Sequence, residues 1–406
     1  MDTKRRELIR KRKIKRMKRQ VRTYYRIQAG LLAAILFGGF VLNLAIRDRE
    51  ISVTEKRELA AWPSVSVNRI LSGKFGNDFE TYASDQMAFR EAFVCLKSDI
   101  DGLLGKKDSQ GVYKGKNGFY IEAMEPVDTE KLGNTLESIR RFSGTLTSNV
   151  TVVLVPGAVS VYKEKLPAFA VTEDQGSWSN YIAQGLQDTN IRYLDLTETL
   201  LAQKEGLEKG ETLYYRTDHH WTTRGAYSCL DQVRAALQLG TERQEYTPLL
   251  VSESFYGSLI SKGGFSAGKP DRVEIYVPRQ QENYLVTAGG EKTASLYSEE
   301  GLASTDPYTV FLGGNQGHVR IETEHTDKGR LLVFKDSYFN CFLPFLIGDY
   351  SVIDVVDPRY YAEELQTLML QNSYDSVLYF YSLNNFTQDT SLSLVLDAAE
   401  EREVTE

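Results

Sequence analysis

Leu331-Leu332-Val333-Phe334-Lys335-Asp336-Ser337-Tyr338 is an apolar run that ends directly on Lys-Asp-Ser, ahead of a second apolar stretch containing Cys341, Phe342, Leu343 and Phe345. A continuous apolar run of this length reads as a strand buried on both faces of a parallel sheet. The spacing predicts a helix near 340–347, so Ser337 stands at a strand-to-helix turn. There its Oγ is exposed and its own N–H can face an oxyanion, with the positive end of a helix behind it. An ordinary Ser N-cap gives the same pattern, and this segment alone does not separate the two.

Outward from this strand, Val352–Val356 and Ser376–Tyr381 repeat the buried apolar pattern, with a helix expected around 362–372. Upstream, 130–146 reads as a helix, 150–155 (VTVVLV) as a strand, the stretch around 181–187 as a helix, 191–196 as a strand and 222–239 as a helix. Alternation of this kind predicts an α/β doubly wound parallel sheet. Residues of about 240–330 break the rhythm with Gly, Ser, Thr, Tyr and short alternating runs such as 273–277 and 309–312, and read as a β-rich insertion. An α/β domain carrying this insertion is thus expected over 130–400. Residues 47–129 form a linker and lead-in, helical over 67–106 and hairpin-like over 111–122.

The N-terminal part is different in kind. Residues 1–28 carry 13 Lys/Arg against Asp2 and Glu7, a net of +11, leaving 35 Lys/Arg against 53 Asp/Glu and a net of −18 for the rest. Residues 29–46, AGLLAAILFGGFVLNLAI, are uncharged, and 18 residues of helix span roughly 27 Å, enough for a bilayer core. Tyr24 and Tyr25 stand at its edge, where amphipathic rings prefer the interface. The pattern predicts a basic cytoplasmic tail (1–28), a single transmembrane anchor (29–46) and an extracytoplasmic remainder in the cell membrane. It assigns the basic tail to a membrane surface and not to nucleic acid. A cleaved signal peptide fits less well, the apolar run being long and lacking a clean A-x-A site. Cys95, Cys229 and Cys341 are too few and scattered for a disulfide framework and lack metal-ligand spacing.

Among the four histidines, two are adjacent in Thr217-Asp218-His219-His220-Trp221-Thr222, a loop leading to a helix that Thr217 or Asp218 could cap. In an extended loop Asp218 and His220 share a side, so the carboxylate can reach Nδ1 of the imidazole and fix its tautomer, while His219 points the other way. A capping Asp with two structural histidines fits the spacing equally well.

The Asp-His-His-Trp segment resembles the signature of the DHHW protein family. That family is similar to the SGNH hydrolase-like domain of bacterial polysaccharide (alginate-type) O-acetyltransferases. Their Asp-x-His-Trp falls on Asp218, His220 and Trp221, and their strand-end Asp-Ser on Asp336-Ser337. The resemblance runs from Glu55 to about Phe386 and includes Asp85-Gln86-Met87-Ala88-Phe89-Arg90. It implies a Ser337–His220–Asp218 triad, an oxyanion hole from the Ser337 N–H and Asn384, and no cofactor. Usual SGNH hydrolases run from the Ser strand, through an Asn-bearing strand, to the Asp/His segment. Here the Ser strand and the strand ending Ser382-Leu383-Asn384-Asn385 come last, so the chain reads as a circular permutation. Ser382 replaces the family Gly, Asn385 the Asp, and Lys335 the Gly before Asp-Ser. An N-cap role for Asn384 fits equally well. Tyr338, Trp221 and Arg224 are expected near the triad, binding substrate.

The resemblance implies an O-acetyltransferase or acetyl-esterase acting on a cell-surface polysaccharide. Acetyl groups would come from a multipass membrane O-acyltransferase. Two other readings stay open at this point: a metal-dependent hydrolase built on Asp218, His219 and His220, for which the sequence completes no ligand set, and a non-catalytic carbohydrate-binding or assembly protein of the envelope.

Overall fold

Strand Arg330–Lys335 owes its place to a period of two. Leu331 and Val333 enter one buried apolar cluster and Leu332 and Phe334 the other, so both faces are covered. The same split holds for Val153 and Val155 against Val150, Val152 and Leu154, and for Leu378 and Phe380 against Val377, Tyr379 and Tyr381. Two apolar layers therefore sandwich one sheet.

The computed structural model describes residues 3–52, 57–266 and 268–400; Met1, Asp2 and Glu55 lie outside them. The described residues fall into two compact units dividing between Val94 and Cys95. The first holds one unbroken helix, Thr3–Ala45, of which Arg10–Asn43 is long and apolar enough to cross a membrane. The helical lead-in is three helices, Val67–Leu71, Lys74–Asp85 and Arg90–Leu103, the last running into the second unit. Left-handed backbone at Gly73 (φ 75°) and Phe89 (φ 59°) makes the two breaks.

The main sheet of the second unit has eight strands: β1 Asn149–Val155, β2 Ile191–Asp195, β3 Tyr284–Ala288, β4 Glu291–Thr293, β5 His318–Thr323, β6 Arg330–Lys335, β7 Val352–Val356 and β8 Ser376–Ser382. Their order is β4-β3-β5-β7-β6-β8-β1-β2. Strands β7, β6, β8, β1 and β2 are parallel. Counted from the Ser strand β6, that parallel order is 2-1-3-4-5, the flavodoxin-like doubly wound order. Such an order is what the circular permutation requires. The order of the strands reverses between β6 and β8, and the C-terminal ends of those strands border the crevice where doubly wound sheets place ligands.

The strands of the β-rich insertion divide between two sheets. Tyr246–Phe255 and Asp271–Pro278 form their own antiparallel ribbon, but β3, β4 and β5 extend the main sheet antiparallel through β5–β7 pairing. Thr309–Leu312 is not a strand: Pro307–Val310 is a 3-10 turn.

Three predicted helices change form. In place of a helix over 340–347 there is a 3-10 segment, Leu343–Asp349, preceded by another, Ser337–Phe339, because Pro344 supplies no N–H to an α-helical ladder. Residues 222–239 give Thr223–Ser228 and Leu230–Ala236; Ser228 Oγ donates to the Gly225 carbonyl (2.7 Å) near the break, competing with the helical ladder. Residues 362–372 shorten to Leu365–Gln371. The hairpin at 111–122 forms, with Val112–Lys114 paired to Tyr120–Glu122. All three cysteines are free, and burial pushes the thiols of Cys229 and Cys341 up to about 12.

Candidate active site

Ser337 leaves β6 at the reversal point. It is not the cap of the turn that follows: Asp336 is, accepting from the Tyr338 N–H at 2.9 Å. Asp336 is fully buried, and its other oxygen accepts from the Ser382 N–H (2.9 Å), Ser382 Oγ (2.6 Å) and Asn385 Nδ2 (2.8 Å). One carboxylate thus ties the end of β6 to the end of β8. Ser382 and Asn385 serve here as donors to Asp336. Lys335 turns away from this junction. Its buried Nζ pairs with Asp357 just beyond β7 (2.9 Å), and Arg359 holds the same carboxylate.

The second part is the loop between Tyr214 and Trp221, closed by an antiparallel bridge between those two residues. Within it His220 Nδ1 lies 2.5 Å from Asp218 Oδ1, and His220 Nε2 lies 2.8 Å from Ser337 Oγ. Since Asp218 accepts, Nδ1 carries the proton and Nε2 presents its lone pair to the hydroxyl. Burial, then the neighbouring His219, holds the His220 pKa below that of a free imidazole, against the opposing pull of Asp218. A neutral base thus stands in hydrogen-bond reach of a hydroxyl, with its far nitrogen anchored on a carboxylate. His220 and Ser337 each keep 7% exposure, so the way in is narrow.

The insertion holds this loop in place. Ser258 donates its N–H (2.7 Å) and Oγ–H (2.9 Å) to Asp218 Oδ2. Asp271 accepts from the Thr217 N–H (2.8 Å) and Oγ1 (2.6 Å). Tyr308 stacks on the His220 ring with centroids 3.9 Å apart and planes 13° apart, and donates its hydroxyl to the Ser337 carbonyl at 3.1 Å. The His219 ring lies 3.9 Å from His220 as well, so the base sits between two rings. That corrects the expectation that His219 points away: the loop is turned, not extended, and strand-like alternation does not apply. The cap of the following helix is likewise neither Thr217 nor Asp218 but Thr222, which accepts from the Gly225 N–H.

Asn384 follows β8, one residue into a helix capped by Ser382, so it is not an N-cap. Its amide orientation follows from a chain of donors. The Gly157 N–H, which can only donate, bonds Gln175 Oε1 at 2.9 Å, and Ser160 Oγ bonds the same oxygen at 2.8 Å. Gln175 Nε2 must then donate to Asn384 Oδ1, at 2.6 Å. What Asn384 has left to offer is the N–H pair of Nδ2. The Ser337 N–H likewise has no acceptor among the described residues. Both potential oxyanion donors thus stand at the C-terminal ends of neighbouring strands.

The expected substrate contacts are placed otherwise. Trp221 is fully buried, donates to the Tyr338 carbonyl (2.9 Å) and stacks on Phe342. Tyr338 is 3% exposed and gives its hydroxyl to the His219 carbonyl. Arg224 pairs with Glu211 at 2.9 Å and is not brought to Ser337 or His220. The first two support the site from beneath, because large rings at the sheet end are worth more as core than as open surface. Asp218, His219 and His220 bring ligand atoms close enough for an ion, but both Asp218 oxygens and both His220 nitrogens are already hydrogen-bonded. Residues missed by the sequence reading are Gln175, Ser258, Asp271 and Tyr308; Ser, Gln, Asp and Tyr in loops carry no spacing signal.

Residues 112–297 match the family of the SGNH hydrolase-like domain of the acetyltransferase AlgX. That stretch includes Asp218 and His220 and stops short of Ser337. The structure is similar to a DHHW family protein from Eubacterium siraeum, with a TM-score of 0.59 and 23% identity, covering 70% of this chain and 95% of that one. It is also similar to Bacillus cereus PatB1, solved with a sulfonyl adduct, with a TM-score of 0.56 and 18% identity over 68% of this chain and 96% of that one. No curated protein matches in sequence. The fold is thus SGNH-hydrolase-like, and the Asp218-His219-His220-Trp221 segment is the loop that carries His220 within the matched stretch.

Proposed function

We propose that the protein moves an acetyl group on a cell-surface polysaccharide, as an O-acetyltransferase or acetyl-esterase, through an acyl-enzyme on Ser337. The observation that carries this reading is the hydrogen-bonded run Ser337 Oγ–His220 Nε2 (2.8 Å) and His220 Nδ1–Asp218 Oδ1 (2.5 Å). In the proposed reaction Ser337 Oγ attacks the acetyl carbonyl as His220 takes its proton, and Asp218 stabilises the imidazolium. The Ser337 N–H and Asn384 Nδ2 receive the oxyanion. His220 returns the proton to the leaving alcohol. It then deprotonates an acceptor hydroxyl, or water, which attacks the acetyl-serine; as the acyl–oxygen bond breaks, His220 passes that proton back to Ser337 Oγ.

The family matched over 112–297 is described as an acetyltransferase, which supports the acyl class. The basic N-terminal side of the apolar helix supports a cytoplasmic N-terminus and an extracytoplasmic catalytic domain. On that reading acetyl groups arrive from a multipass membrane O-acyltransferase. A metal-dependent alternative would need lone pairs that the site already uses. A purely binding protein would gain nothing from burying this array of polar groups, each costly to desolvate.

The test is hydrolysis of p-nitrophenyl acetate by the purified protein. Ser337→Ala is expected to lose at least about a thousandfold in kcat/KM, in line with removal of a serine nucleophile. Equal activity in the variant contradicts the mechanism.

A further inference from the structure

The turn Gln86-Met87-Ala88-Phe89 is tied to the outer end of the long N-terminal helix by a set of polar contacts. Asn43, the one strongly polar residue of the 29–46 run, accepts the Ala88 N–H at 2.6 Å through Oδ1. Gln86 holds both sides of the Arg49 backbone, accepting its N–H at 3.0 Å and donating to its carbonyl at 2.9 Å. Tyr82 donates to Asp48, and Arg49 pairs with Glu91 at 2.9 Å. Asn43 lies three residues inside Ile46, about 4.5 Å along the helix axis. The turn that bonds it therefore stands at the depth of the last apolar residues of that helix, not beyond them.

At that depth the turn shows apolar side chains outward. Met87 is 41% exposed, Phe89 65% and Phe93 54%. Phe89 is held at φ 59°, a left-handed backbone unfavourable for a bulky residue, so the turn keeps an exposed aromatic at conformational cost. An exposed apolar apex fixed beside a membrane-spanning segment has lipid as its natural neighbour.

We propose that the 86–93 segment is a membrane-docking element, with Met87, Phe89 and Phe93 entering the boundary between headgroups and acyl chains of the outer leaflet. The Asn43–Ala88 hydrogen bond serves the same arrangement by covering the one polar side chain of the span. This inference rests on the 29–46 segment being a membrane anchor, and the experiment separates the two claims.

The full-length protein is reconstituted in phospholipid nanodiscs in a Cys95→Ser background, leaving the buried Cys229 and Cys341. A nitroxide is attached at Phe89→Cys, at Phe37→Cys within the anchor, or at Lys209→Cys on an exposed loop. Collision rates with oxygen and with a water-soluble nickel chelate are compared. The expected result is a several-fold excess of oxygen collisions at positions 37 and 89 and the reverse at 209. Phe93→Cys provides a second reading of the element should the Phe89 variant fold poorly. Oxygen excess at 37 with chelate excess at 89 and 93 overturns the docking element and leaves the anchor. Shielding of 89 and 93 from both probes assigns the surface to a second copy of the chain and overturns lipid docking. Chelate access at 37 overturns both claims.

Discussion

The role of Gln175 depends on the direction of one hydrogen bond. By donating to Asn384 Oδ1 it leaves Asn384 Nδ2 as a donor. Gln175→Glu keeps the size but can only accept, so Asn384 would reverse and present oxygen to an oxyanion. The expected outcome is a fall in kcat of about a hundredfold, typical of losing one oxyanion donor, with KM little changed. In an Asn384→Ala background the same substitution is expected to have no further effect. A fall of similar size in that background would mean that Gln175 is merely structural.

His220 makes both turnover and stability depend on pH. Its pKa is lowered in the folded protein, so the imidazole is neutral at neutral pH and the acid limb of kcat/KM should lie below about 6.5, the ordinary value for histidine. The same shift has a stability consequence. Below about pH 6.5 the unfolded chain binds a proton at this residue that the folded chain does not, so His220 makes stability fall as pH drops. The loss levels off once pH is below the folded pKa. Urea denaturation of wild type and His220→Gln at pH 7.5 and 5.5 measures it, and the variant should lose less stability between the two.

Among elements, the insertion has the most consequence, since it supplies Ser258, Asp271 and Tyr308 to a loop it does not contain. Gly257 shows how close the approach is: a Cβ there would lie 2.2 Å from Asp218 Cβ and 2.4 Å from the Thr217 carbonyl. Gly257→Ala should therefore displace Asp218, costing about 1–3 kcal/mol of stability and roughly a hundredfold in kcat/KM. Both are readable by thermal melts and ester hydrolysis. Tyr308→Phe keeps the stack on His220 and loses the bond to the Ser337 carbonyl, worth about 1 kcal/mol. Tyr308→Leu loses both and should cost roughly ten- to a hundredfold in kcat/KM, measured in the same assay. Little of this was legible in sequence. The parts of Asp-His-His-Trp and Lys-Asp-Ser are short, rare and close together, so they could be read. Their supports come from separate loops and from residue types that recur everywhere. His219 was misplaced for a related reason: alternation assumes extended backbone, and the Tyr214–Trp221 bridge closes the loop instead.

At the scale of the whole molecule, the strands of the parallel sheet were legible because burial on both faces makes their apolar runs continuous, as in 150–155 and 331–334. The permuted order could also be read, since it depends only on which strand carries which motif. The antiparallel extension by β3–β5 could not, because those strands are short, mixed in polarity and indistinguishable in sequence from a separate sheet. Nor could the 3-10 segments after Ser337 be separated from an α-helix by apolar spacing alone. The permuted order brings Ser337, at the end of β6, next to Asn384, just after β8, across the place where the strand order of the parallel sheet reverses. Turnover by the proposed route requires Ser337 itself to carry the acyl group. Mass spectrometry of peptides from protein quenched in acid during turnover of an acetyl ester tests this directly. Acetyl on the peptide containing Ser337, lost in Ser337→Ala and reduced in His220→Gln, is the predicted result. Undiminished turnover in Ser337→Ala, with no acetylated peptide from the wild type, would contradict it.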